Sequence, residues 1–174
     1  MENKKEQQML LKMKVSGLTI DPFTNVPIVI LKDMEEKNTL PVWIGVLEAS
    51  AIASELEKIQ FSRPMTHDLL REILKSLGAA IEKVEIVDLR DNVYYALIQM
   101  TTKDGGFTID ARPSDAIAIA LRAGAPIFVE AKVVEKSKSI DLRDAGKDGL
   151  KEGAKNFLDS LEDMSPGDFG KYKM

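Results

Sequence analysis

The chain contains no cysteine, which removes structural disulfides and thiolate metal sites at once. A reducing, cytoplasmic setting is the expectation that follows. Histidine and tryptophan occur once each, so imidazole chemistry could only fall to His67. No apolar run approaches the length of a membrane span, and residues 1–8 lack the apolar stretch of a signal peptide. No membrane partner is therefore expected. An excess of positive charge is missing too: the net charge is −4 and the pI about 5.2. Tight duplex binding draws much of its strength from Lys and Arg that neutralise phosphates, so the charge counts against that class. It leaves open a catalyst that touches nucleic acid transiently through a local basic patch. There is also no Walker loop, no glycine-rich dinucleotide fingerprint after a strand and no zincin motif.

What is present is one domain's worth of chain: 174 residues, 44% hydrophobic and 30% charged, enough to bury a substantial core. Residues 9–20, 26–31 and 39–44 read as strands, joined by turn chemistry at 21–25 and a charged turn at 33–38, and predict an antiparallel meander. Pro41 places the third strand at an edge or at the start of its pairing. The period then changes. Ala49, Ile52, Ala53, Leu56 and Ile59 recur at helical spacing, opposite Glu48, Glu55, Glu57 and Lys58. A second helix is predicted over about 66–77, with Thr66 as N-cap and Gly78 as its left-handed stop. Residues 80–89 and 93–102 form a hairpin about Arg90-Asp91-Asn92, where Asn92 tolerates positive φ, and a third strand runs over 107–111. Pro113 opens a third helix that ends before Gly124, and residues 126–134 return as a strand. All three helices are expected to turn an apolar stripe to the sheet. After about Ser137 the composition shifts to charge and glycine, with a short amphipathic helix expected over 156–164. The chain thus divides into a polar leader (1–12), a domain (13–136) and a charged appendage (137–174).

Two stretches open on Arg-Pro and then start a helix: Arg63-Pro64-Met65-Thr66-His67-Asp68 and Arg112-Pro113-Ser114-Asp115-Ala116. Each gathers an Arg, a hydroxyl and a carboxylate where free backbone N–H groups and the helix dipole favour anions. The structural reading of the first is a capped helix start beside a partly exposed histidine. The functional reading makes His67 a general base or metal ligand, with Asp68 orienting it or sharing the metal. For the second, Asp115 at N3 could cap the helix, but that leaves Asp110 and Arg112 at a strand end unexplained. Two carboxylates with an intervening Arg fit a site that holds a cation and stabilises a phosphoryl oxyanion. Glu48 is either a surface residue that complements a dipole or a further carboxylate of the site. Trp43 reads as a core or interface anchor.

Together these segments resemble the bifunctional nuclease domain family. The matching pieces are Leu40-Pro41-Val42-Trp43-Ile44-Gly45 with Glu48, Arg63 to Asp68, Asp110 to Ala116, and the exit Gly124-Ala125-Pro126-Ile127-Phe128-Val129. The resemblance spans roughly residues 13–134. It implies cleavage of DNA and RNA, as described for plant members, and carries no catalytic mechanism with it.

The expected fold is α+β: a mainly antiparallel sheet of about six to eight strands on three helices, plus a short C-terminal helix. The expected function is hydrolysis of phosphodiester bonds in DNA and/or RNA with low sequence preference. Asp68, Asp110 and Asp115, with Glu48, would hold Mg²⁺ or Mn²⁺, hard ions suited to carboxylates. His67 would activate water, and Arg63, Arg112, Thr66 and Ser114 would bind the phosphate. The alternative is a non-enzymatic oligomeric binding or regulatory module with a structural Arg/Asp cluster. Apolar edge strands and the Met-rich segment 9–13 predict a homodimer or higher homo-oligomer. A shared site requires Thr66–Asp68 and Asp110–Asp115 to converge, within one chain or across a subunit boundary.

Overall fold

A computed structural model describes residues 9–140. Its elements in chain order are β1 (Leu10–Ile20), β2 (Pro27–Asp33), β3 (Thr39–Trp43), α1 (Val46–Leu56), α2 (Thr66–Ser76), β4 (Ala80–Arg90), β5 (Val93–Thr102), β6 (Gly105–Ala111), α3 (Pro113–Ala123), β7 (Ile127–Glu130) and α4 (Ala131–Ile140). The strands form one sheet of order β3-β2-β1-β7-β4-β5-β6. Two antiparallel meanders, β1-β2-β3 and β4-β5-β6, are bridged by β7, which pairs antiparallel with β1 and parallel with β4. The class is α+β with seven strands, as expected.

Local chemistry sets the turns. Asp91 and Asn92 have φ of 50° and 62°, the two left-handed positions of a tight hairpin that fits the strand twist. The Asp21 carboxylate accepts the Phe23 N–H at 2.9 Å and the Trp43 indole N–H at 2.8 Å, so the first hairpin is tied to edge strand β3. The Tyr94 hydroxyl donates to the Pro41 carbonyl at 3.1 Å, joining β5 to β3 although four strands lie between them in the sheet. The sheet is therefore strongly curled.

Helix α3 runs across the core: Ala116 to Ala120 are wholly buried, and it packs against β4, β5, α1 and α2. The expectation that α2 also faces the sheet is corrected. None of its residues is fully buried; Leu74 touches the core, whereas Leu69, Ile73 and Leu77 stay exposed. Polar first-turn residues fasten α2 to α3 instead, and its apolar stripe is left outside. Met65, not Thr66, is the N-cap; the Asp68 carboxylate accepts the Met65 N–H at 3.0 Å. The far end follows expectation. Gly78 is left-handed, at φ 71°, and the N–H groups of Gly78 and Ala79 close back on Lys75 and Leu74.

Residues 126–134 do not continue as a strand. Strand β7 stops at Glu130, and α4 runs on through residue 137. Val133, Val134 and Ser137 recur at helical spacing and are buried, while Lys132 and Lys136 pair outward with Glu130 and Asp88. In the Met-rich start, Met13 is core and β1 is an interior strand; of its apolar residues only Met9 and Leu10 remain exposed. The helix expected over 156–164 lies outside the described residues.

Candidate functional site

Three helices begin at one cleft. Helix α1 starts after Gly45, α2 after Met65 and α3 after Arg112, and the first turns of all three line a cavity of about 330 Å³. Each contributes unpaired N–H groups and the positive end of its dipole.

A single ionic chain links these starts. His67 Nε2 lies 3.1 Å from Asp115 Oδ1; Asp115 Oδ2 accepts from Arg112 Nε at 2.7 Å; Arg112 Nη1 lies 2.9 Å from Glu48 Oε1. Burial alone would raise the Asp115 pKa, but hydrogen bonds from Arg112 and His67 outweigh it and hold the carboxyl below its ordinary value. The same contact with Asp115, seconded by Glu48, raises Arg112. Arg112 remains 66% exposed, so its fork still faces solvent. With Asp115 on Nε2, the neutral imidazole carries its proton there. Nδ1, which has no partner among the described residues, carries the lone pair.

Behind this chain sits a residue the sequence reading missed. The Arg122 side chain is only 2% exposed and bonds Asp68 Oδ1 at 2.6 Å, the Ala51 and Ala118 carbonyls at 3.0 and 3.1 Å, and Ser54 Oγ at 3.4 Å. It thereby locks α1, α2 and α3 together. Burial would raise Asp68, but the Arg122 and Met65 hydrogen bonds lower it. Asp68 therefore neither orients His67 nor faces a metal. The signal for Arg122 was its spacing, seven residues beyond Asp115 on the same helix face, inside an otherwise apolar run.

The expected convergence of residues 66–68 with the α3 start occurs within one chain. Asp110 is not part of it. It pairs with Leu97 in register, one residue out of step with Ile109 and Ala111, which oppose the core residues Ile98 and Ala96. Strand alternation thus turns Asp110 to the sheet face away from the helices. Ser114 is buried and does not line the cleft. Thr66 does line it; Arg63 sits between Phe61 and Met65, which both do, and it has no partner among the described residues. Among those residues no group of three or more His, Asp or Glu is arranged to hold a metal ion. Glu48 and Asp115 are engaged by Arg112, Asp68 by Arg122, and Asp110 points elsewhere, so this donor set does not fit a resident divalent cation.

Residues 29–141 match the bifunctional nuclease domain, and the chain belongs to that family. An uncharacterized protein of Mycobacterium tuberculosis is 34% identical over 162 residues, covering 91% of this chain and 97% of that protein. Bifunctional nuclease 1 of Oryza sativa subsp. indica is 30% identical over 110 residues, covering 60% of this chain and 33% of its own length. Bifunctional nuclease 2 of Arabidopsis thaliana is 29% identical over 124 residues, covering 68% of this chain and 37% of its own. The chain thus spans about a third of the plant relatives. Among the described residues no helix is long and apolar enough to cross a membrane.

Proposed function

We propose that the three-helix cleft hydrolyses phosphodiester bonds of DNA and/or RNA with low sequence preference. The observation that carries this reading is the His67–Asp115 pair, 3.1 Å apart, where helices α2 and α3 open into a cleft beside the exposed Arg112 fork. The phosphate sits among the helix N-termini and Arg112, with the Thr66 hydroxyl beside it. Asp115 holds His67 through Nε2–H, leaving Nδ1 to take a proton from the attacking water. The water oxygen bonds to phosphorus as the bond to the leaving sugar oxygen breaks, and that oxygen takes up a proton from bulk water. The Asp115 charge then stabilises the imidazolium that forms. Arg112 and the helix dipoles meet the charge that develops on the phosphoryl oxygens. Contacts of this kind go to phosphate and carry no base code, which is why sequence preference is low. Membership of the bifunctional nuclease domain family supports the same substrate class.

The test is nuclease activity of rigorously purified wild type beside His67→Ala and Asp115→Asn. Each variant is expected to lose about 10²–10⁴-fold, the usual worth of a positioned general base. Equal activity in all three would mark a contaminant and remove the reading. No step runs through Mg²⁺ or Mn²⁺, because Glu48, Asp68 and Asp115 are engaged by arginines and Asp110 faces away from the cleft. Either ion at about millimolar concentration is accordingly expected to leave the melting temperature unchanged, and a rise of several degrees would reinstate a metal site. A second reading, a non-enzymatic binding module, is favoured by one observation: Asp68 and Arg122 saturate each other and the backbone around them. It expects phosphate or nucleotide binding without turnover in the wild type.

We also propose that the protein works as a homo-oligomer. Support comes from the outer edge of β6, which pairs with no further strand among the described residues, and from the exposed apolar residues along it and along α2.

A further inference from the structure

The cleft is chemically mixed. Its lining is of two kinds: His67, Asp115 and Arg112 are polar or charged, whereas Leu47, Phe61 and Met65 are apolar and 83%, 41% and 52% exposed. On α1 the lining continues with Ser50, Ala51 and Ser54, all of them small. Large apolar side chains left open to water beside phosphate-binding groups call for a ligand with an anionic part and a flat apolar part. A nucleotide has both, and its base must be unpaired and unstacked to lie against Phe61 and Met65.

We infer that this cleft receives one unpaired nucleotide, its base against Phe61, Met65 and Leu47 and its phosphate at Arg112, so that the substrate is single-stranded nucleic acid. The inference rests on the nuclease reading for the reacting groups and goes beyond it in naming the strand state. Size agrees: about 330 Å³ is at the small end of ligand cavities, room for a single base and closed to a stacked pair of strands. Charge agrees as well. Duplex binders neutralise many phosphates at once, whereas this chain has net charge −4. Among the described residues the cations that line the cleft are Arg112 and Arg122, and Arg122 is buried against Asp68. Three helix N-termini add partial positive charge to that of Arg112, against the Glu48 and Asp115 carboxylates. Their effect reaches only a first turn's distance, enough for one phosphate rather than a duplex backbone.

The experiment uses the full chain. Binding of the uncleaving His67→Ala protein to a fluorescein-labelled single strand and to its duplex is read by anisotropy, for DNA and RNA oligonucleotides, and wild-type cleavage is followed on the same four probes. Single strands are expected to bind at least about tenfold more tightly and to be cleaved faster. Adding Phe61→Ala is expected to lower single-strand affinity about tenfold or more and leave the duplex unaffected; Phe61→Tyr restores it by keeping the stacking face. Equal single-strand and duplex affinity, or an unchanged affinity in Phe61→Ala, overturns the inference, while cleavage of both forms at one rate leaves the nuclease reading standing alone. Tight single-strand binding without wild-type turnover removes the nuclease reading and keeps the binding site. Absence of both binding and turnover removes both.

Discussion

Arg122 shows at the scale of single residues what the site rests on. Its guanidinium is buried, and Asp68 is its one anionic partner among the described residues. Removing either member leaves a charge stranded, which costs about 3–5 kcal/mol for a fully buried pair. Arg122→Met is expected to fall near the lower end of that range, because Asp68 keeps some contact with water, and chemical denaturation will read it. Arg112–Asp115, open to solvent, is worth about 0–1 kcal/mol by comparison. The Asp68 pKa lies lower in the folded chain than its ordinary value of 3.8. Below that value the unfolded chain binds a proton that the folded chain still refuses, so the contribution of Asp68, complete above 3.8, fades as pH falls through the folded pKa. Asp68→Asn is therefore expected to lose stability near neutral pH and to show a shallower decline in acid; an unaltered acid profile would contradict the pairing. Asp110→Asn should cleave within about twofold of wild type, because β6 alternation turns that carboxylate from the cleft. His67, Arg112 and Asp115 were legible because Arg-Pro marks a helix start and the dipole gives a start its chemistry. Asp110 was misplaced because adjacency in sequence says nothing about strand parity. Arg122 was passed over, despite its spacing from Asp115, because a basic residue in a last helical turn ordinarily serves only the dipole.

At the scale of elements, the helix ends are where backbone conformation decides stability. Gly78 is left-handed with open space about it, so Gly78→Ala meets no neighbour and isolates the backbone cost, about 1–2 kcal/mol, or a few degrees of melting temperature. A loss well under 0.5 kcal/mol would mean that the helix end had rearranged. Gly45 has a different reason for being glycine: a Cβ there would collide with the Glu48 carboxylate, the flexible end that reaches Arg112. Gly45→Ala should consequently cost little stability while releasing Glu48 from Arg112. The strand and helix starts were readable from period, proline and glycine. Helix α4 was not, because Val133-Val134 looks like strand continuation, and its period emerges only once Lys132 and Lys136 are seen to pair outward. The outward face of α2 escaped too, since an apolar stripe reports that cover is needed without saying from where.

At the scale of the whole molecule the two sheet edges are treated differently, and that asymmetry predicts how copies meet. Strand β3 carries Pro41, holds Tyr94 through its carbonyl and is contacted by α4. Among the described residues strand β6 lacks such devices: it has no proline, no lysine and no bulge in its pairing with β5, and six of its seven residues are exposed. Phe107 and Ile109 continue the apolar row of Met100 and Ile98 onto the last strand, where they are exposed to water. Such an edge is a template for its own kind, and antiparallel pairing about a two-fold axis satisfies its free backbone groups and covers those two side chains together. Light scattering at low micromolar concentration should therefore give twice the chain mass of 19.3 kDa. Ile109→Lys, which places a charge in the seam, should give the single mass with an unchanged circular dichroism spectrum. A wild type at the single mass, or a variant still at the double mass, would rule out this interface. Because His67 and Asp115 meet within one chain, the dissociated variant should still cleave, separating assembly from chemistry in one preparation.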